Sequence, residues 1–283
     1  MQLPDESTRV RMEAAHATAA THFGVTCTGD PVWGFAGSTI GRRAGIHWLR
    51  VAATSPTSTR TPGHGIAGAD ALLPANIPRP RLHGIHDWTD GEHGYQADLL
   101  DHITDPIVSS RPDLPTNPRL SDSWWDNLRR AVEDLAAADG VRTTVRDAWI
   151  ERAFPQFLGI PAPTTIHRVT GHGDLHWANL AGPTLTIIDW ERWGRVPFGF
   201  DAGLLHANSL LVPDTAARVR YEFRDTLDTP AGRIGELSAL AEMLQAVARG
   251  WYPELGGPLA KRAQELTGVT PPIDAGAELS GWG

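Results

Sequence analysis

This sequence predicts an α+β protein in two parts, and three observations carry that prediction. Five strand-like runs bounded by turn residues fall within the first hundred residues. After residue 103 the apolar residues recur instead at helical spacing, almost to the end of the chain. Among the helical stretches lies a polar run, His172 to Asn179, followed by a short apolar strand that ends on an acid, Asp189. The boundary is expected at 102/103, with a sheet-rich part over 1–102 and a mainly helical part over 103–283.

The elements follow in order. Residues 6–22 place Val10, Ala14 and Thr18 at helical spacing, with Asp5 or Ser7 as the cap. Strands are expected at 31–35, 38–42 and 46–51, where the turns at 35–38 and around Gly45 fit antiparallel hairpins. The polar, breaker-rich run 54–65 reads as a mobile loop. A short helix at 66–73 that stops at Pro74, then strands at 81–88 and 94–100, complete the first part. In the second part Ser121 caps a helix with Trp124, Leu128, Val132 and Leu135 on one face. Val145, Trp149 and Ile150 mark another, and further helices are expected at 201–211, 215–227, 232–249 and 258–267. The Pro/Gly-rich tail 268–283 is expected to fray.

Composition narrows the function. At 283 residues the chain has ample material for a core, and 41% hydrophobic with 20% charged residues is ordinary for a soluble protein. A net charge of −8 argues against nucleic acid as a partner, because phosphate binding wants a basic face. The lone Cys27 excludes an intrachain disulfide framework and a cysteine-cluster zinc site. The opening MQLPDESTRVRMEAA lacks a basic-then-apolar leader pattern, and no run of 18 apolar residues occurs. A cytoplasmic monomer or homodimer without a membrane partner is therefore the expectation.

The chemistry concentrates in His172-Gly-Asp-Leu-His-Trp-Ala-Asn179 and Ile187-Ile-Asp-Trp-Glu191. Asp174 stands five residues before Asn179, and the strand-like Leu185-Thr-Ile-Ile188 runs into Asp189. A phosphoryl-transfer site needs this set: one Asp to orient the acceptor hydroxyl, and an Asn and a later Asp to hold magnesium. Magnesium is a hard ion that takes oxygen ligands, which Asn and Asp provide. The same residues could instead cap a turn. His172 and His176, four apart, could bind zinc on a helix, but Gly173 argues against a helix there.

The wording HGDLHWANL then IIDWE, with Pro197-Phe-Gly-Phe-Asp201-Ala-Gly-Leu204 downstream, resembles the aminoglycoside phosphotransferase and choline kinase-like family. That resemblance implies a bilobal protein-kinase-like fold, with a small antiparallel-sheet N-lobe at 1–102 and a helical C-lobe at 103–283. It implies transfer of the terminal phosphoryl of ATP or GTP to a hydroxyl of a small molecule, such as an aminoglycoside or other antibiotic, an amino sugar or choline. Asp174 would be the catalytic base, and Asn179 and Asp189 would hold Mg2+ and with it the nucleotide. Arg50, on the third strand, stands where the family usually has a phosphate-binding lysine; Lys261 is the chain's only lysine. Gly34, Gly37 and Ser38 would meet phosphates through backbone N–H groups. His172 is expected to pack below the loop, Asp201 to anchor its backbone, and Trp177 to wall the acceptor pocket. His176 and Glu191 are further candidates near the acceptor, and Glu222, Asp225, Asp228, Glu236 and Glu242 could meet ammonium groups. The helix glutamate that normally pairs with the strand cation is missing, and only Asp70 stands near its place. That departure keeps open a nucleotide-binding protein without turnover.

Overall fold

The computed structural model describes residues 4–34 and 37–272, which divide into two compact units. One comprises the described residues up to Leu72 together with Arg79–Thr104. The other comprises Leu73–Pro78 and the residues from Asp105 onward.

The first unit opens with helix α1 (Glu6–Phe23), whose first turn is capped by the Asp5 side chain accepting from Thr8 N at 2.7 Å. Five antiparallel strands follow in the spatial order β1-β2-β3-β5-β4: β1 (Thr28–Trp33), β2 (Thr39–Ala44), β3 (His47–Thr54), β4 (Leu82–Asp90) and β5 (His93–Asp101). Helix α2 (Gly65–Leu72) lies between β3 and β4 in the chain. One face of the sheet buries Ile40, Leu49, Val51 and Ala97 with Met12, Ala15 and Ala19 of α1. Strand alternation then turns Arg50, between Leu49 and Val51, away from that core. The run 54–65 is less free than its composition suggests. Arg60 Nε donates to Asp87 at 2.6 Å, Nη1 to Asp98 at 2.7 Å and Nη2 to the Ala97 carbonyl at 3.0 Å, tying the loop to the sheet.

The second unit is mainly helical. Its elements are α3 (Asp122–Ala136), α4 (Asp147–Ala153), β6 (Arg168–Gly171), β7 (Leu180–Ala181), β8 (Thr186–Ile187), β9 (Gly194–Pro197), α5 (Phe200–Ala207), α6 (Pro213–Glu222), α7 (Arg224–Leu227), α8 (Pro230–Ala248) and α9 (Gly256–Thr267). Ser121 Oγ accepts from Trp124 N at 3.2 Å, the expected cap of α3. α5 is buried on every face and packs with α8 and α9 through Phe200, Leu204, Leu237, Leu240 and Leu259.

Two helices differ from the periodicity. The expected 201–211 helix stops at Ala207, where Asn208 Nδ2 and Ser209 Oγ turn back onto the Leu204 and Leu205 carbonyls. The expected 215–227 helix splits into α6 and α7 at the buried Phe223, whose φ −106 and ψ 21 leave helical geometry. Residues 273–283 of the expected frayed tail lie outside the described residues. No helix among the described residues is long and apolar enough to cross a membrane.

Candidate active site

The polar run after β6 is held from below. Asp201, in the first turn of α5, accepts from His172 N at 2.6 Å and from Gly173 N at 2.9 Å, one backbone donor per carboxylate oxygen. Gly173 sits at φ +76, and a Cβ there would stand 2.5 Å from the Arg192 carbonyl, so glycine is required by both conformation and space. His172 is fully buried and its Nε2 donates to the Ile188 carbonyl at 2.9 Å. Burial lowers its pKa, which favours the neutral ring and fixes the Nε2–H tautomer. His172 and Asp201 therefore shape the loop, as the resemblance implies.

The same framework gathers the candidate chemistry. Asn179 ends a short 3₁₀ turn, and its Nδ2 donates to the Asp174 carbonyl at 2.9 Å, leaving Oδ1 as the amide's acceptor. The β7–β8 ladder pairs Leu180 with Ile187, and Ile188 N donates to the Asn179 carbonyl at 2.9 Å. Asn179 therefore lies across the ladder from Ile188, the residue before Asp189. Asp189 is exposed and takes left-handed backbone angles, φ 64 and ψ 59, which are uncommon for a residue with a side chain. Asp174, Asn179 and the stem of Asp189 thus form one hydrogen-bonded unit.

Around Asp174 the structure gathers His176 and Glu242, already candidates, and adds Arg192 and Tyr252, which sequence reasoning missed. Arg192 Nη1 lies 3.5 Å from Asp174 Oδ1, and its guanidinium grips Glu242 of α8 at 2.9 and 3.2 Å. Burial opposes that charge, but the Glu242 and Asp174 carboxylates more than offset it and raise the arginine's pKa. His176 Nε2 is 3.7 Å from Asp174 Oδ2. Burial and the Asp113 and Asp174 carboxylates raise the Tyr252 hydroxyl's pKa. In the sequence Arg192 stands among Asp189, Glu191 and Arg195, and nothing in that charged stretch singles it out.

Other expected residues lie elsewhere. Trp177 is 0% exposed, donates to Ser209 Oγ at 3.0 Å and packs with Trp124 and Trp125, so it is a core residue and not a pocket wall. Glu191 is exposed. Of the acids proposed to meet ammonium groups, most are already paired with internal cations. Glu222 binds Arg218, Asp228 binds Arg220, Glu242 binds Arg192, and Glu236 binds His206, Arg220 and Arg262. Asp225 is exposed.

In the first unit Arg50 is opposite Asp98 in the β3–β5 register, and their side chains are 3.5 Å apart. Asp98, 3% exposed, also receives Arg60. A strand acid thus stands beside the cation where a helix glutamate was expected, while Asp70 Oδ1 lies 3.6 Å from Arg81. Gly34 N donates to the Thr39 carbonyl and Gly37 N to the Gly34 carbonyl, so both N–H groups are used inside the hairpin. Ser38 follows, its carbonyl accepting from Ala53 N at 2.8 Å.

Neither a protein-family model nor a curated protein sequence matches this chain. Solved structures do match it. The apo form of a thermostable mutant of aminoglycoside phosphotransferase APH(4)-Ia superposes with a TM-score of 0.56 at 14% identity, covering 90% of this chain and 100% of its own. A ternary complex of that enzyme with ADP and hygromycin B gives 0.56 at 13%, covering 93% and 99%. A choline/ethanolamine kinase family protein from Mesorhizobium loti gives 0.52 at 13%, covering 91% and 95%. The chain has the protein-kinase-like fold of these phosphotransferases. Within that fold the likeness is one of architecture, and the chemistry rests on this chain's own residues.

Proposed function

We propose that this protein is a small-molecule kinase, moving the γ-phosphoryl group of ATP or GTP to a hydroxyl of a small acceptor. The observation that carries this reading is the single hydrogen-bonded unit joining Asp174, Asn179 and the strand end at Asp189. Asp174 orients the acceptor hydroxyl and takes its proton as the new oxygen–phosphorus bond forms and the bond from phosphorus to the bridging oxygen breaks. A loose phosphoryl transition state asks mainly for such positioning. Arg192, held by Glu242, steadies one oxygen of that carboxylate, and His176 flanks the other.

Asn179 Oδ1 and the Asp189 carboxylate are oxygen donors suited to Mg2+, which when bound neutralises charge on the nucleotide phosphates. Arg50, backed by Asp98, supplies a cation for phosphate, and arginine can do so in a bidentate manner. The hairpin of Gly34, Gly37 and Ser38 would approach the phosphates, with Gly37 supplying the φ +73 turn.

The matched folds include one bound to hygromycin B and one named for choline and ethanolamine. We infer an acceptor that carries both hydroxyl and amine groups. The test is incubation with magnesium and labelled ATP or GTP across aminoglycosides, nucleoside antibiotics, amino sugars and choline analogues. A phosphorylated product is expected, with Asp174→Asn lowering kcat by about 10²–10⁴-fold while nucleotide affinity holds. Asp189→Ala should weaken magnesium-nucleotide binding itself. Unchanged turnover in Asp174→Asn would remove Asp174 from its role, and tight nucleotide binding with no product from any acceptor would favour a binding protein without turnover.

A further inference from the structure

We propose that His47, His83 and Asp101 form a transition-metal site of the Zn2+ class in the first unit, separate from the residues of the phosphoryl-transfer reading. The three come from three adjacent strands. His47 of β3 is the register partner of Asp101 of β5, and His83 stands on β4, the strand on the other side of β5. The β4–β5 register shifts between Leu82 and Gly84, so His83 occupies an irregularity of the kind that re-aims a side chain. One ligating atom from each residue lies within 4.8 Å of the other two. His83 Nε2 is 2.6 Å from Asp101 Oδ1, and the His47 and His83 rings meet edge to face at 4.6 Å.

Two features favour a ligand over an ordinary polar cluster. His47 Nδ1 is buried and has no hydrogen-bond partner, an arrangement that costs free energy unless something satisfies the atom. Asp101 is fixed from behind, its Oδ2 accepting from Arg81 N at 3.0 Å, which holds Oδ1 toward His83 Nε2 in the cluster.

The donor set selects the ion. Two imidazoles and one carboxylate suit zinc, with water completing four-coordination, whereas magnesium wants oxygen throughout. Tetrahedral ligands at about 2.0–2.2 Å from zinc stand roughly 3.3–3.5 Å apart. Metal binding would therefore displace the proton in the 2.6 Å His83–Asp101 contact and open it by less than about 1 Å. Bound there, the ion would pin the ends of β3, β4 and β5 together.

The experiment uses tag-free, full-length protein stripped with chelator and dialysed against Zn2+ alone, without nucleotide. We expect about one equivalent per chain by elemental analysis and a melting temperature raised by about 5 °C or more at saturating metal. His83→Ala and the near-isosteric Asp101→Asn should each weaken binding on the order of 100-fold. An Asp174→Asn/Asp189→Ala double variant should bind zinc as the parent does. Should His83→Ala fail to fold, Asp101→Asn and His47→Gln carry the test. Binding well below one equivalent at tens of micromolar zinc, or full binding retained by Asp101→Asn, would overturn the proposal. Loss in the Asp174/Asp189 variant would place the metal at the phosphoryl-transfer residues instead.

Discussion

Glu236→Gln tests the frame on which the polar loop 172–179 stands. Glu236 is 0% exposed on α8, yet two guanidinium groups and an imidazole close on it: Arg262 Nε at 2.9 Å, Arg220 Nη1 at 3.1 Å and His206 Nδ1 at 3.1 Å. His206 belongs to α5, the helix that begins with the Asp201 turn, so this carboxylate clamps α8 to the element that shapes the loop. Burial alone would raise its pKa, but the hydrogen bonds from His206 and Arg262 outweigh burial and bring it to about 2, against an ordinary 4.5. That gap corresponds to about 3 kcal/mol of native-state stabilisation at neutral pH. A carboxylate with a depressed native pKa stabilises above its unfolded pKa, and the contribution is lost as pH falls from 4.5 through about 2. At pH 3 the same linkage leaves about 1 kcal/mol. Glutamine keeps the shape but not the charge, and leaves the Arg220 and Arg262 guanidinium groups without their counter-charge. We expect urea unfolding of Glu236→Gln to show a deficit of about 3 kcal/mol at pH 7 that shrinks to about 1 kcal/mol at pH 3. A deficit that is absent at pH 7, or that stays constant down to pH 3, would refute the assignment of a charged, cation-held Glu236.

Three further outcomes follow from the site. Arg192→Met should lower kcat on the order of 100-fold with nucleotide KM unchanged, because it loosens Asp174; steady-state kinetics decide this, and a pure KM effect would contradict it. Adding Glu242→Gln to Arg192→Met should restore stability lost to the unpaired acid without restoring rate, read by thermal melts beside kinetics. Asp98→Asn should destabilise the protein by about 3 kcal/mol and raise nucleotide KM, since it leaves Arg50 and Arg60 without their shared carboxylate. Denaturation curves and nucleotide titrations check the two effects separately.

What the sequence revealed depended on whether the controlling contact was local. Ser121 and Asp5 are readable caps because the groups they satisfy lie three residues away. The β2–β3 hairpin follows from the turn chemistry around Gly45. Asp174, Asn179 and Asp189 are legible as a spacing because the short ladder joining them spans only residues 180–187. The phosphoryl-transfer reading grew from that local pattern. The broken helix at Phe223 and the early end of α5 were not legible, since periodicity reports a face and says little about where side chains turn back onto carbonyls.

The misread residues share a physical cause. Trp177 looked like a pocket wall because an aromatic residue in a loop fits either role, and its burial depends on Trp124 and Trp125, more than fifty positions earlier. The acids of α8 looked available because sequence cannot show that Arg220, Arg262 and Arg192 reach them, whereas Glu222 pairs with Arg218 one helical turn away, at a spacing the sequence displays. The helix glutamate looked missing because the carboxylate beside Arg50 comes from β5, across a strand register set by pairing over nearly fifty residues. In a chain with a single lysine the cations are arginines, whose length and forked geometry let them pair with acids on distant elements. Charge satisfaction at Glu236, Glu242 and Asp98 is accordingly tertiary. Asp174 shows both kinds of contact, its carboxylate meeting Arg192 of a later turn while its backbone carbonyl accepts from Asn179 five residues on.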